Sequence, residues 1–338
     1  MKRNLVLCCA TLAIAAGSLP LAGWSQPVAE DAKHWLERML QSTQTLSYEG
    51  TFIYVQGPHI EAMRIVNGGG AEGKQRRRLF SLSGPPREVV VANNSVICLL
   101  PKQHATFVGG DYPRSPFPLS IPRELGRLQN HYQFEMLGSD RVAGLEAQVI
   151  AIKPRDAWRF GYRLSLDRRN GMVLRSALLD EKGYPIEQLM FTDLQLRPHI
   201  DDADFVSAAL PDGAAAQGGP NPDNAESSAG EPVTRSAWRV DQLPEGFAKV
   251  SHNRITQASG RQPTEHLVFA DGLATISIFV EKLNQAPPLL QGRSQFGSMN
   301  AFGVVVNDHQ ILVVGEAPAA TMQRIATSIR FDSEADKP

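Results

Sequence analysis

Residues 158–196 read WRFGYRLSLDRRNGMVLRSALLDEKGYPIEQLMFTDLQL, and this stretch decides the fold. Three runs, Trp158 to Asp167, Met172 to Leu179 and Tyr184 to Leu196, are separated by Arg168-Arg169-Asn170-Gly171 and Asp180-Glu181-Lys182-Gly183. Apolar runs of this length, joined by tight polar tetrapeptides with Asn-Gly or Gly in the positive-φ places, predict consecutive β-hairpins. Working towards the N-terminus, the same pattern predicts strands near 60–67, 75–82, 87–92, 95–100, 104–108, 131–138 and 141–153. A Pro-rich crossing, Pro113 to Pro122, and a short helical stretch at Arg123 to Leu128 interrupt them. Tyr48, Phe52 and Tyr54 alternate with Thr51, Ile53 and Val55, both sets largely apolar, which predicts a strand covered on both faces of a curved sheet. One helix precedes it, since Ala32, Trp35, Leu36, Met39 and Leu40 recur at helical spacing. Residues 46–196 therefore read as one long antiparallel meander.

Towards the C-terminus, residues 211–235 (PDGAAAQGGPNPDNAESSAGEPVTR) hold one large apolar residue, Val233, too little to offset the entropy of ordering, and read as a flexible linker. They separate an N-terminal domain, 26–210, from a C-terminal domain, 236–335. The latter predicts strands at 247–255, 264–270 and 273–283, with an Asp271-Gly272 turn. A hairpin joins Phe302–Val306 to Ile311–Val314 through Asn307-Asp308. A closing helix with Pro318 near its first turn carries Met322, Ile325, Ala326 and Ile329 on one face and ends near Phe331. The expected class is mainly β with α: a large antiparallel domain and a smaller sheet-and-helix domain. A length of 338 residues suits two domains, at roughly 100–200 residues each.

The first residues predict an export signal. Lys2 and Arg3 precede an apolar run, Leu5 to Ala16, shorter than the ~20 residues of a bilayer span, and small residues up to Ser25 follow. Removing residues 1–25 takes the net charge from −1 to −3 and leaves Cys98 as the lone cysteine, in an apolar run where it reads as a small buried hydrophobe. A near-neutral chain lacks the basic field that non-specific nucleic-acid binding uses, so nucleic acid is excluded as the expected partner.

No catalytic motif stands in a supporting context. Gly68, Gly70 and Gly73 spell G-x-G-x-x-G, but Lys74-Gln75-Arg76-Arg77-Arg78 follows and leads into a strand. His199-Ile200-Asp201-Asp202-Ala203-Asp204 reads as a capped helix start before Phe205 in preference to a metal site. The basic run either meets lipid phosphates or an acidic partner, or is a solvated strand edge. Trp238 and Leu243-Pro244-Glu245-Gly246-Phe247 read as an aromatic anchor and a turn. The expectation is a binding protein with no catalytic residues, no cofactor and no metal.

A resemblance adds to this reading. The helix Trp35 to Leu40 leading into Leu46-Ser47-Tyr48-Glu49, then Gly84-Pro85-Pro86-Arg87-Glu88-Val89-Val90, Gly110-Asp111-Tyr112 and the hairpin Tyr162 to Asp180 occur in the order seen in the RseB/MucB family. So do Trp238, Leu243 to Phe247, Asp271-Gly272-Leu273 and Val314-Gly315-Glu316. The chain resembles that family of periplasmic regulators of the envelope-stress sigma factor, with a longer, more Gly/Ala/Pro-rich linker. The resemblance implies a large domain similar to LolA and LolB, an incompletely closed antiparallel barrel. It also implies binding to the periplasmic segment of a membrane-spanning anti-sigma factor, protection of that segment from site-1 proteolysis, and release by lipopolysaccharide or acyl lipid. Tyr48, Phe52 and Tyr54 are the candidate lipid-cavity residues, and Arg76, Arg77, Arg78 and Arg87 the candidates for head-group or partner contact. Self-association into a homo-oligomer stays open, and a LolA-like lipid or lipoprotein carrier is the alternative function.

Overall fold

The computed structural model describes residues 31–70, 76–92, 95–99, 106–108, 121–122, 124–205, 230–256 and 263–332; of 92, 95–99 and 106–108 it describes the backbone alone. The expected signal peptide, most of the Pro-rich crossing, most of the linker and the Cys98 side chain lie outside the described residues.

Helix α1, Ala32–Thr45, starts where the Asp31 carboxylate accepts a hydrogen bond from the His34 N–H at 2.8 Å and so satisfies one free donor of the first turn. Its apolar stripe, Ala32, Trp35, Leu36 and Met39, is buried. Eleven strands follow: β1 Tyr48–Gln56, β2 His59–Gly68, β3 Arg76–Ser81, β4 Glu88–Ala92, β5 Ser95–Leu99, β6 Thr106–Val108, β7 Tyr132–Val142, β8 Leu145–Pro154, β9 Gly161–Asp167, β10 Val173–Leu179 and β11 Pro185–Leu196. A one-turn helix α2, Leu125–Leu128, lies between β6 and β7.

The sheet order is β6-β5-β4-β3-β2-β1-β11-β10-β9-β8-β7, with every pair antiparallel. This corrects the single meander. Two meanders run outward from a central β1–β11 pair, and β6 and β7, consecutive in sequence, end at opposite edges. Alternation predicts strands but not their order; that comes from side chains such as Phe52, opposite Phe191 across β1–β11. Gly50 permits the approach, because a Cβ there would sit 2.7 Å from the Asp193 carbonyl oxygen. The sheet is open, as expected. On one side α1 and α2 cover Ile150, Ile152, Tyr162, Leu164 and Leu166, each such fully buried apolar side chain contributing about 1.5–3 kcal/mol. The β1 strand alternates fully and partly buried residues only over Tyr48–Phe52, so its second face is half-covered, less than expected.

The β9–β10 turn departs in detail from its prediction: Gly171 alone takes positive φ, and its N–H bonds the Asp167 carbonyl. Asn307 and Asp308 both do so, giving a tight two-residue hairpin.

The smaller sheet orders β12-β14-β15-β16-β19-β18-β17, where β12 is Glu231–Pro232, β14 Ala248–Ile255, β15 Thr264–Ala270, β16 Thr275–Lys282, β17 Gly292–Phe296, β18 Met299–Val306 and β19 His309–Gly315. Helix α3, Ala319–Ser328, packs Met322, Ile325 and Ala326 against Ile276, Ile278, Ile311 and Val313. Two expectations change. Glu231–Pro232, read as linker, pair with Arg254 and Asn253 along the sheet edge, where Pro is tolerated. The closing helix stops at Ser328: Ile329–Phe331 form strand β20 against β13, Trp238–Val240, because β-branched Ile329 turns extended and Phe331 meets the Trp238 ring at 5.0 Å. Residues 31–332 group as one compact unit. Among the described residues no helix is long and apolar enough to cross a membrane.

Candidate functional site

The sequence candidates fall on β1, β3 and the β3–β4 turn. Tyr48 and Phe52 are buried at 3% and 1% exposure and meet the Phe191 ring edge-on at 6.2 and 5.7 Å, packed with Ile65, Met172 and Leu189. They are core. Burial raises the Tyr48 phenol's pKa, with the Arg77 charge acting against it. Tyr54, further along the same face, is half-buried; burial, then the neighbouring Glu187, hold its phenol far above the usual range.

The basic run does not line an edge, since β3 lies between β2 and β4. Each arginine already has a partner within the molecule. Arg76 pairs with Asp202 at 2.6 Å and lies 4.5 Å over the Phe205 ring, in the 3-10 turn Asp202–Phe205 that the His-Asp stretch forms. Arg77 donates to Asn67, whose strand partner is Tyr48; burial, then Tyr48 acting the other way, lowers the guanidinium pKa. Arg78 reaches Glu88 at 2.5 Å and the Asp204 carbonyl at 3.3 Å. Arg87 pairs with Glu61, the strand partner of Tyr54. The sheet thus brings Tyr48 to Arg77 and Tyr54 to Arg87, at opposite ends of β1, and gathers no common cluster. Among the described residues, no group of three or more His, Cys, Asp or Glu could hold a metal ion.

The site that sequence reasoning missed is the seam between the sheets. Arg159, in the β8–β9 loop, is 1% exposed. Its Nε donates to Asp271 Oδ2 at 2.6 Å, Nη1 to Asp156, and Nη2 to the Glu245 carbonyl. The guanidinium lies 4.9 Å over the Phe247 ring and 5.9 Å from that of Tyr132. Tyr132 donates to the same Asp271 Oδ2 at 2.8 Å. Burial works against the charge on Arg159, but the hydrogen bond and charge of Asp271, with Asp156, raise its pKa overall. For Tyr132, burial and then Asp271 push the phenol far up, so it stays a donor. Asp271 Oδ1 accepts from the Leu273 and Ala274 N–H groups, which fixes the carboxylate.

The Leu243–Phe247 and Asp271-Gly272 turns are therefore docking elements, whereas Trp238 anchors the core of the smaller sheet. Glu245 supplies a carbonyl, Phe247 an aromatic face and Asp271 the buried anion. Gly246, at φ +88°, leaves room for His131, whose Nε2 would lie 2.3 Å from an added Cβ. Nearby, Thr321 of α3 donates to the Trp158 carbonyl at 3.0 Å and Arg324 covers the Trp158 ring at 4.8 Å. A second contact lies at the end of β11, where Ser298 bridges Glu187 and Glu316 at 2.8 and 3.0 Å. The seam consists of ion pairs, hydrogen bonds and glycine-permitted close approaches, with Leu273 packed against the core of the large sheet. The run Trp158–Asp167 reads as a strand and hides Arg159 within it, whereas β9 begins at Gly161; the one sequence signal available was an arginine inside an aromatic pair, Trp158 and Phe160.

Residues 31–209 match the MucB/RseB N-terminal domain and residues 232–330 the MucB/RseB C-terminal domain. Sigma factor AlgU regulatory protein MucB of Pseudomonas aeruginosa is 31% identical over 97% of this chain and 99% of its own. Sigma-E factor regulatory protein RseB of Escherichia coli K12 is 27% identical over 88% of this chain and 89% of its own. Among solved structures, the complex of Pseudomonas aeruginosa MucA/MucB superposes with a TM-score of 0.68 at 29% identity, covering 89% of this chain and 99% of that one. The fold and its relatives define a class, the β-rich proteins that join a large open antiparallel sheet to a smaller sheet-and-helix part. Within that class, the chain belongs to the MucB/RseB family.

Proposed function

We propose that the protein is a periplasmic regulatory binding protein that takes the periplasmic segment of a membrane-spanning anti-sigma factor. By covering it, the protein shields the segment from site-1 proteolysis and keeps the envelope-stress sigma factor off. On this reading residues 1–25 are removed on export, 26–210 and 236–335 are the two binding domains and most of 211–235 is the linker between them. Lipopolysaccharide or acyl lipid releases the segment by favouring a form of the protein that binds it less well, and linkage then requires the segment to weaken lipid binding equally. The observation that carries the reading is the solved MucB relative bound to MucA, 99% of which is covered by this chain. The protein acts by occupancy, with no bond made or broken.

The test is capture from envelope extracts followed by cleavage of the captured anti-sigma segment by its protease. The reading expects slower cleavage with the protein present, restored by lipid fragments. Unchanged cleavage at saturating protein overturns it, and co-purified lipoprotein without anti-sigma binding favours a lipid or lipoprotein carrier.

A further inference from the structure

The second contact of the seam is built from acids. Glu187, in β11, and Glu316, one residue past β19, face each other across Ser298, which is 1% exposed. Ser298 Oγ lies 2.8 Å from Glu187 Oε2 and 3.0 Å from Glu316 Oε1. Gln56 Nε2 reaches Glu187 Oε2 at 3.3 Å and Ser298 Oγ at 3.4 Å, and the Tyr54 phenol lies beside Glu187.

A serine hydroxyl carries one hydrogen and can donate to one of the two carboxylates. Glu187 also draws on Gln56; Glu316 has Ser298 alone among the described residues. With both acids ionised, one short oxygen–oxygen contact holds no hydrogen, and two like charges share a half-buried site. A proton on Glu316 resolves this: its carboxyl donates to Ser298, and Ser298 donates to Glu187. No basic side chain among the described residues pairs with either acid. The other titratable or charged groups facing the cluster are Tyr54, Tyr162 of β9, and Glu61 of β2, which Arg87 holds. Burial, then the Glu187 charge, raises the Glu316 pKa, and the Ser298 hydrogen bond opposes them.

We infer that the seam carries a proton-operated catch: it is closed while Glu316 is protonated and opens when Glu316 ionises, with the buried Arg159–Asp271 pair as the pivot. The closed form binds the proton more tightly than the open form. Closure is therefore complete below the ordinary carboxylic range and is lost as pH rises through the higher value Glu316 has in the closed seam. The inference goes beyond the proposed function and needs no partner, so it stands or fails apart from that reading.

The experiment places nitroxide labels at the exposed positions Lys182→Cys and Thr327→Cys, in a Cys98→Ser chain without residues 1–25 and so without Cys8 and Cys9, and measures the pulsed-EPR distance from pH 4 to pH 8. A single distance is expected at pH 4. A longer population is expected to grow with pH, the closed-to-open ratio falling by up to about tenfold per unit for one released proton. The Glu316→Gln variant, which stays neutral and keeps a donor for Ser298, should hold the single distance throughout. Carbon-13 shifts of the Glu316 carboxyl should titrate over the same interval as the distance change. A wild-type distance unchanged across the range while Glu316 titrates overturns the catch, and so does a Glu316→Gln variant that opens as wild type does.

Discussion

Arg159 Nε and Asp271 Oδ2 lie 2.6 Å apart with both side chains wholly buried, one held by the large sheet and the other by the small. A buried ion pair gains little over an apolar pair of the same shape, but removing one member strands the other charge. Asp271→Asn and Arg159→Met, each made alone, should therefore lower unfolding free energy by about 3–5 kcal/mol. Denaturant midpoints measure this, and the double variant should recover part of the loss. Losses below about 1 kcal/mol, in the range of exposed pairs, would contradict the burial of this contact.

Gly246 and Gly183 have nearly the same backbone, φ +88° and +82°, in different surroundings. An added Cβ at Gly246 meets the His131 ring, whereas one at Gly183 meets nothing within 4 Å. Gly183→Ala should cost about 1–3 kcal/mol from backbone strain alone. Gly246→Ala should cost more, and the excess should shrink in a His131→Ala background. Equal losses for the two glycines would mean that the seam is not packed at His131.

The strands were legible because each run is long, apolar and bounded by turn residues, as from Tyr162 to Leu196. The closing helix over-ran its end because Ile329 continues the helical spacing of Met322, Ile325 and Ala326, and the Trp238–Phe331 contact that pulls the chain extended is remote in sequence. The central pairing of β1 with β11 and the seam were not legible for the same reason. Tyr132 and Asp271, or Gln56 and Ser298, carry no local pattern that links them. Of the site candidates, Tyr48 and Phe52 stand on an apolar face that is the core, and acidic and amide partners 10 to 126 residues away hold the arginines.

Phe52 separates a packing role from a ligand-binding one. At 1% exposure against Phe191 and Ile65, Phe52→Ala should cost about 3–5 kcal/mol of stability, as large-to-small core changes do. Tyr54→Phe removes a half-buried hydroxyl beside Glu187 and should cost no more than about 1.5 kcal/mol, the upper end for an ordinary hydrogen bond. Chemical denaturation measures both. A Phe52→Ala protein of unchanged stability that loses acyl-lipid binding would return Phe52 to a cavity wall.

His266 gives the small sheet an acid sensitivity of its own. Its ring stacks on Phe279 at 4.3 Å and 5°, with Nε2 3.0 Å from the Ser277 hydroxyl. Burial, then the neighbouring His252, lowers its pKa. His252 in turn faces Glu265 at 3.1 Å, and Arg254 shares that carboxylate at 3.2 Å, so the acid is engaged on the side away from His266. The fold therefore favours the neutral His266 ring. Its contribution is present above the unfolded value near 6.5 and is lost as pH falls through the lower folded value. Urea midpoints should drop between pH 7 and pH 5, and the drop should be smaller for His266→Gln, which keeps a polar group towards Ser277 and cannot take up a proton. An equal drop in both proteins would place the acid sensitivity elsewhere in the sheet.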